Sequence, residues 1–337
     1  MSERSGIMGC AERAVPLCCR SRSGEWLLCL LLFWSSLAAA EQPSKTAEQW
    51  LQQLAPALNR TSYKGVFVYT RGNDVNSMRI YHRYRDGHVR ERLVQLDGAN
   101  GEIIRDDNRV VCIYPNKGQV QLDNVIPAGP FAEAFANQLT PVTRWYTPTL
   151  LREDRIAGYP AVGIELKAKD KDRYSYRLWL EKNTGLLVRS EVVGVRGHTL
   201  ERFQFTDLTF TDNIPDSELE AKPGNRTIQR EDIRQPDASP HRTEWSMGWK
   251  PAGFVAAAAP VSARNEAVAY SDGLASFSVF VEPLKGVDMP SGVSRIGATT
   301  AYLRKIRRNN TTFLITVVGE VPPLTARRVA NGIELGH

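Results

Sequence analysis

The sequence predicts a mostly antiparallel α+β protein in two parts, and three observations predict it. Strand patterns of period two recur along the chain, and they are joined by short turns rich in Gly, Asp and Asn. No helical pattern alternates with them, which excludes a parallel α/β fold. The N-terminal part is expected to be a large open sheet of nine to eleven strands with a helix or two. A smaller antiparallel α+β domain is expected to follow.

Thr46-x-x-Gln49 has the form of a capping box, and Trp50, Leu51, Leu54 and Leu58 follow at helical spacing, so residues 46–59 predict an amphipathic helix. Pro56 marks a place where it would end or kink. Residues 65–70 (GVFVYT) and 78–85 then read as strands, the second alternating Met78, Ile80, His82, Tyr84 against Arg79, Tyr81, Arg83, Arg85. Asp86-Gly87 separates it from 88–96 and suits the positive φ angles of a two-residue hairpin. Residues 109–114 (RVVCIY) are apolar on both faces, and Pro115 to Gly118 turn the chain towards 119–122. The long connection at 124–140 holds a short helix candidate, 131–139, and leads to Trp145-Tyr146, which together suggest a flap over the sheet. Strand patterns resume at 161–167, 174–181, 186–195 and 200–210, with the turn Lys182-Asn183-Thr184-Gly185 between the middle pair.

From residue 214 apolar content drops and prolines accumulate, so 41–217 reads as the first domain, 218–241 as an interdomain linker and 242–337 as the second domain. The second domain starts with an aromatic corner, Trp245 to Phe254. Strand patterns follow at 267–270, 274–282, 299–306 and 311–318, and a closing helix at 324–333.

The first 40 residues differ from the rest. Four arginines, an uncharged run from Trp26 to Leu37 and then Ala38-Ala39-Ala40 predict a signal peptide cleaved after Ala40, hence export. Twelve apolar residues span only about 18 Å as a helix, short of a hydrocarbon core of about 30 Å. Without the leader the chain holds 39 basic against 34 acidic residues, a net charge of +5. Such a mild excess suits an anionic partner and gives no case for nucleic acid. Cys112 is then the one remaining cysteine, and its strand context makes it a small buried hydrophobe.

No metal-ligand spacing, P-loop, nucleophile elbow or dinucleotide fingerprint occurs, so no catalytic residues, metal or cofactor are expected. His82 and His88 lie on adjacent hairpin arms and read as a cross-strand surface pair. Asp106-Asp107 reads as turn chemistry. Two features remain. The open sheet presents rows of apolar side chains that few helices can cover, and Met78, Ile80, Tyr84, Val162, Ile164 and Leu166 are the expected lining of a cavity for an acyl chain or an apolar peptide. Arg304, Lys305, Arg307 and Arg308 cluster at an expected hairpin tip, either as a solvated turn or as a dock for an acidic protein segment or a lipid headgroup.

The segments YKGVFVYTRG (from Tyr63), VRERLVQLDG (from Val89), DRYSYRLWLEKNTGLLVRS (from Asp172), WKPAGF (from Trp249) and YSDGLASFSVFVEP (from Tyr270) resemble the RseB/MucB family of periplasmic negative regulators of the envelope-stress sigma factor. The resemblance covers nearly the whole chain after the leader. It implies an unclosed half-barrel with helices, similar to lipoprotein carriers such as LolA, followed by the smaller domain. It implies binding to the periplasmic region of a transmembrane anti-sigma factor of RseA/MucA type, protection of that factor from regulated proteolysis, and release on a lipid or lipopolysaccharide signal. A lipid or lipoprotein carrier is the alternative, and the sequence leaves homo-oligomerisation open.

Overall fold

Thr46 caps the first helix of the described residues, α1 (Ala47–Arg60), as its sequence requires. Its hydroxyl accepts the Gln49 N–H at 3.3 Å, and the Gln49 side chain accepts the Thr46 N–H at 2.8 Å. Pro56 sits inside α1, and the helix runs four residues past it. The computed structural model describes residues 45–98, 101–107, 109–114, 118–123, 140–221, 228–231, 245–257, 267–284 and 290–336. The helix expected at 131–139 lies outside them, as does the leader.

Six strands follow α1 as a meander: β1 (Tyr63–Arg71), β2 (Asp74–Arg85), β3 (His88–Gln95), β4 (Glu102–Asp106), β5 (Arg109–Tyr114) and β6 (Gly118–Asp123). The β2–β3 hairpin turns on Asp86 and Gly87, at φ 54° and 88°, as their chemistry dictates. Its register places His82 opposite Glu91 and His88 opposite Arg85, so the two histidines do not form the expected surface pair. His82 is buried, stacks on Tyr63 and lies 3.0 Å from Glu91 Oε2 through Nδ1, whereas exposed His88 meets Asp107.

A short helix, α2 (Thr140–Trp145), leads into β7 (Tyr146–Leu150), β8 (Asp154–Ile156), β9 (Tyr159–Ala168), β10 (Ser175–Glu181), β11 (Leu187–Val193) and β12 (Thr199–Phe210). After α3 (Asp216–Leu219) comes β13 (Ile228–Glu231), which pairs parallel with β6. The result is one sheet of thirteen strands in the order β13-β6-β5-β4-β3-β2-β1-β12-β11-β10-β9-β7, with β8 on β9. This exceeds the nine to eleven strands expected, because β7, β8 and β13 are too short to show a period. β13 also lies within the expected linker; one apolar residue in four leaves no alternation to detect, and pairing on an edge strand rests on main-chain hydrogen bonds. Every other strand pair is antiparallel.

Two apolar clusters stabilise this sheet. In one, Trp50, Leu51 and Leu54 of α1 pack with Tyr146, Val162, Ile164, Leu166, Tyr176 and Leu178. Leu51 and Leu54 are fully buried there, each contributing about 1.5–3 kcal/mol. In the other, Tyr63, Phe67, Ile80, Trp179, Phe205 and Leu208 come together.

The remainder forms a second sheet from β15 (Val255–Ala257), β16 (Ala267–Ser271), β17 (Ser276–Pro283), β18 (Gly292–Ile296), β19 (Thr299–Arg308) and β20 (Thr311–Gly319), ordered β15-β16-β17-β20-β19-β18. Phe277, Val279 and Val281 alternate inward on β17 and meet Ile315 and Val317 of β20. Helix α4 (Pro323–Asn331) covers that face with Ala326, Val329 and Ala330, and β14 (Trp245–Met247) pairs with β21 (Ile333–Leu335) beside it. Both sheets belong to one compact unit, Lys45–His337.

Candidate functional site

The two sheets meet around a buried arginine. Arg173 stands at the end of the β9–β10 connection, with its side chain wholly inaccessible. Its Nε lies 3.1 Å from both carboxylate oxygens of Asp170, and its Nη atoms donate to Asp272 and to the Ala252 carbonyl. Asp272 belongs to the Ser271-Asp272-Gly273 turn between β16 and β17, so Arg173 ties the first sheet to the second. The turn is fixed in its own right: Asp272 Oδ1 accepts the Leu274 and Ala275 N–H groups at 2.9 and 2.8 Å. Tyr146 adds its hydroxyl to Asp272 Oδ2 at 3.0 Å. Each charge is therefore compensated where it is buried, which is the condition under which such a pair is tolerated.

Aromatic rings enclose the ion pair. The Arg173 guanidinium lies 5.0 Å from the Trp145 ring centroid and 5.1 Å from that of Phe254. Gly253 lets the two sheets approach. Its φ is +86°, and a Cβ built there would fall 2.1 Å from the Trp145 indole. Tyr174 donates its hydroxyl to the Val321 carbonyl at 3.2 Å, and Asp172 takes Arg328 of α4 at 3.1 Å.

A second bond across the junction centres on Glu201 of β12. Its Oε1 accepts the Ala298 N–H at 2.8 Å, and its Oε2 accepts the Tyr69 hydroxyl. Arg71 approaches Glu201 to 3.3 Å and donates to Thr299. Glu201, Tyr69, Tyr176, Leu274 and Glu320 line a cavity of about 70 Å³. Burial, and then the charge of Glu201, push the Glu320 carboxyl above its ordinary range, against a lowering pull from Arg71. Among the described residues no group of three or more His, Cys, Asp or Glu could hold a metal ion.

The residues expected to line an acyl cavity are not brought together. Val162, Ile164 and Leu166 are buried in the cluster that also holds Trp50, Leu51 and Leu54 of α1. Ile80 and Met78 join the other cluster, and Tyr84 is half-buried near the turn of the β2–β3 hairpin. The basic cluster is divided as well. Tyr302 and Ile306 pack on the core of the second sheet, so by alternation Arg304 and Arg308 share their face while Lys305 and Arg307 take the other. Arg304 donates to the Ala330 carbonyl at the end of α4, at 3.0 Å. Cys112 is buried in β5.

The sequence reading missed Arg173, Asp272 and Glu201. An isolated arginine in a charged loop (DKDR) and an Asp in a turn look like solvated surface, and nothing local joins two residues 99 positions apart.

Models for the MucB/RseB N-terminal domain and the MucB/RseB C-terminal domain match residues 46–223 and 239–334. The chain is similar to the sigma factor AlgU regulatory protein MucB of Pseudomonas aeruginosa, at 36% identity over 321 residues, covering 90% of this chain and 96% of that protein. It is also similar to the sigma-E factor regulatory protein RseB of Haemophilus influenzae, at 31% identity over 314 residues, covering 91% and 96%. Among solved structures, the crystal structure of MucB in complex with MucA(peri) matches with a TM-score of 0.68 at 33% identity, covering 86% of this chain and 99% of that one. The crystal structure of MucB matches with a TM-score of 0.57 at 32% identity, covering 85% and 97%. Matched by both domain models and sharing more than a third of its residues with a relative over nearly its full length, the chain belongs to the MucB/RseB family.

Proposed function

We propose that the chain is a periplasmic regulatory binding protein, not an enzyme, released from its leader after Ala40. It binds the periplasmic region of a transmembrane anti-sigma factor of the MucA/RseA kind and shields that region from proteolysis. The observation that carries this reading is the likeness to MucB held in complex with MucA(peri), which runs through both sheets rather than one. A protein of this kind needs a rigid frame and an accessible surface, and a junction sealed by Arg173 and Glu201 supplies the frame.

Release on a lipid signal is the finer part of the proposal, and the resemblance supports it. Because Val162, Ile164 and Leu166 are buried in one cluster with Trp50, Leu51 and Leu54 of α1, an acyl chain reaches them only by opening that cluster. Ten buried methylenes would contribute about 8 kcal/mol before ordering costs are subtracted, enough to compete with one helix. Coupling then follows if the displaced and seated arrangements differ in affinity for the partner.

The test is a proteolysis assay on the anti-sigma periplasmic segment of the source bacterium, with and without the protein. The expected result is slowed cleavage that returns to the unprotected rate when a long-chain acyl ligand is added. Cleavage at one rate throughout would remove the protective role.

A further inference from the structure

The second sheet ends, among the described residues, on β18, and all five residues of that strand are exposed. Its pairing with β19 runs from Gly292 opposite Leu303 to Ile296 opposite Thr299 without a register shift. An edge of this kind offers an unpaired row of main-chain N–H and C=O groups, and sheets ordinarily blunt such rows with lysine, proline or a bulge. β18 is five residues long, holds no proline or bulge, and carries Arg295 as its one charge. It exposes Val293 at 56% and Ile296 at 55%.

The end of β18 opens on a groove of about 470 Å³ between the two sheets. Arg71 and Asp74 at the β1–β2 turn, His198 beside β12, Arg295 and Ile296 at the end of β18, and Gly297 after it line this groove. Of its two arginines Arg71 is paired with Glu201, and Arg295 is the cationic side chain that stands exposed beside it. Val75, 62% exposed, extends the apolar surface next to Asp74. By alternation Val293 and Arg295 share one face of β18, so an added strand would meet an apolar and a cationic position two residues apart.

We propose that β18 and this groove take an extended, carboxylate-bearing segment of the polypeptide partner, which adds to the second sheet as a further strand. This rests on the partner-binding reading above and names the surface and the kind of segment it accepts. Main-chain hydrogen bonds along β18 hold the segment, and an apolar residue over Val293 followed two residues away by an acidic one at Arg295 sets its register. Because Ala298, two residues past β18, is bonded to Glu201, the occupied groove also bears on the junction.

Isothermal titration of the intact protein with the anti-sigma periplasmic segment tests this, alongside hydrogen exchange of the β18 amides. Val293→Asp changes an exposed side chain, and Arg295→Glu also gives up the Arg295 contact with the Tyr174 hydroxyl, so the thermal midpoint of each variant is measured beside its affinity. Each is expected to weaken binding about tenfold or more, and the segment is expected to slow exchange across Gly292–Ile296. Arg155→Glu, at an exposed position of β8 in the first sheet, is expected to keep wild-type affinity. Wild-type affinity in both β18 variants, or unchanged exchange in β18, overturns the proposal while leaving the partner reading intact. An equal loss from Arg155→Glu also overturns it, since that marks unspecific charge attraction. If the β18 variants instead abolish self-association and spare segment binding, a second copy of this chain occupies the edge and the proposal fails. A wild-type protein that does not bind the segment removes the partner reading and this proposal together.

Discussion

The Arg173 guanidinium donates to the Asp272 carboxylate across the junction of the two sheets, and neither side chain exposes any surface. A buried pair of this kind is a weak net stabiliser compared with apolar packing, but breaking it is costly because one charge is left alone. Arg173→Ala should therefore lower stability by about 3–5 kcal/mol, read as a shift in the denaturant midpoint. Asp272→Asn, which keeps the Oδ1 acceptor for the Leu274 and Ala275 amides, should cost less than Arg173→Ala. Equal midpoints for wild type and Arg173→Ala would mean that this pair does not hold the sheets together.

Gly253 makes a second and independent demand on the junction. Alanine there is strained at φ +86° and drives its methyl group into the Trp145 ring. Gly253→Ala should destabilise by more than the strain of about 1–2 kcal/mol alone and change the near-UV signal of Trp145. A variant with wild-type stability and spectrum would show that the sheets approach less closely than this.

The carboxylates predict opposite pH effects. Burial alone would raise Glu191, but hydrogen bonds and charge from Arg189 and Arg202 outweigh it and hold its carboxyl below the ordinary value. The stability it contributes is present above the ordinary carboxylate range and is lost as pH falls through the depressed folded value. Glu191→Gln should cost about 1.5–3 kcal/mol at neutral pH and progressively less in acid. Glu320 has the reverse sign. Its folded value is raised, so the native state holds a proton that the unfolded chain gives up, and stability falls as pH rises from the ordinary carboxylate range to the raised value. Glu320→Gln should remove that slope and gain stability at neutral pH. Thermal midpoints measured across pH decide both, and curves parallel to wild type would contradict them.

Local signals in the sequence led to the elements they govern. The capping box of Thr46 and Gln49, the Asp86-Gly87 hairpin and the strand pattern at 274–282 each depend on neighbours within a few residues, and each stands where its pattern put it. Faces were harder to read. Val162, Ile164 and Leu166 alternate cleanly, but alternation says only that a face is apolar, not whether α1 or a ligand covers it. Register escaped too: His82 faces Glu91 rather than His88 because the tight turn pairs Arg85 with His88. The junction was invisible for a third reason. Arg173, Asp272, Glu201 and Ala298 acquire their roles from contacts made across about a hundred residues of chain.

The central claim is that this frame holds a polypeptide partner and lets it go on a lipid signal. The most direct measurement is the dissociation constant of the intact protein for the anti-sigma periplasmic segment, taken with and without a long-chain acyl ligand. Saturable binding that weakens about tenfold with the ligand, a coupling of about 1.4 kcal/mol, is the predicted result. An affinity left unchanged by the ligand, or failure of a folded protein to bind the segment at all, would contradict it.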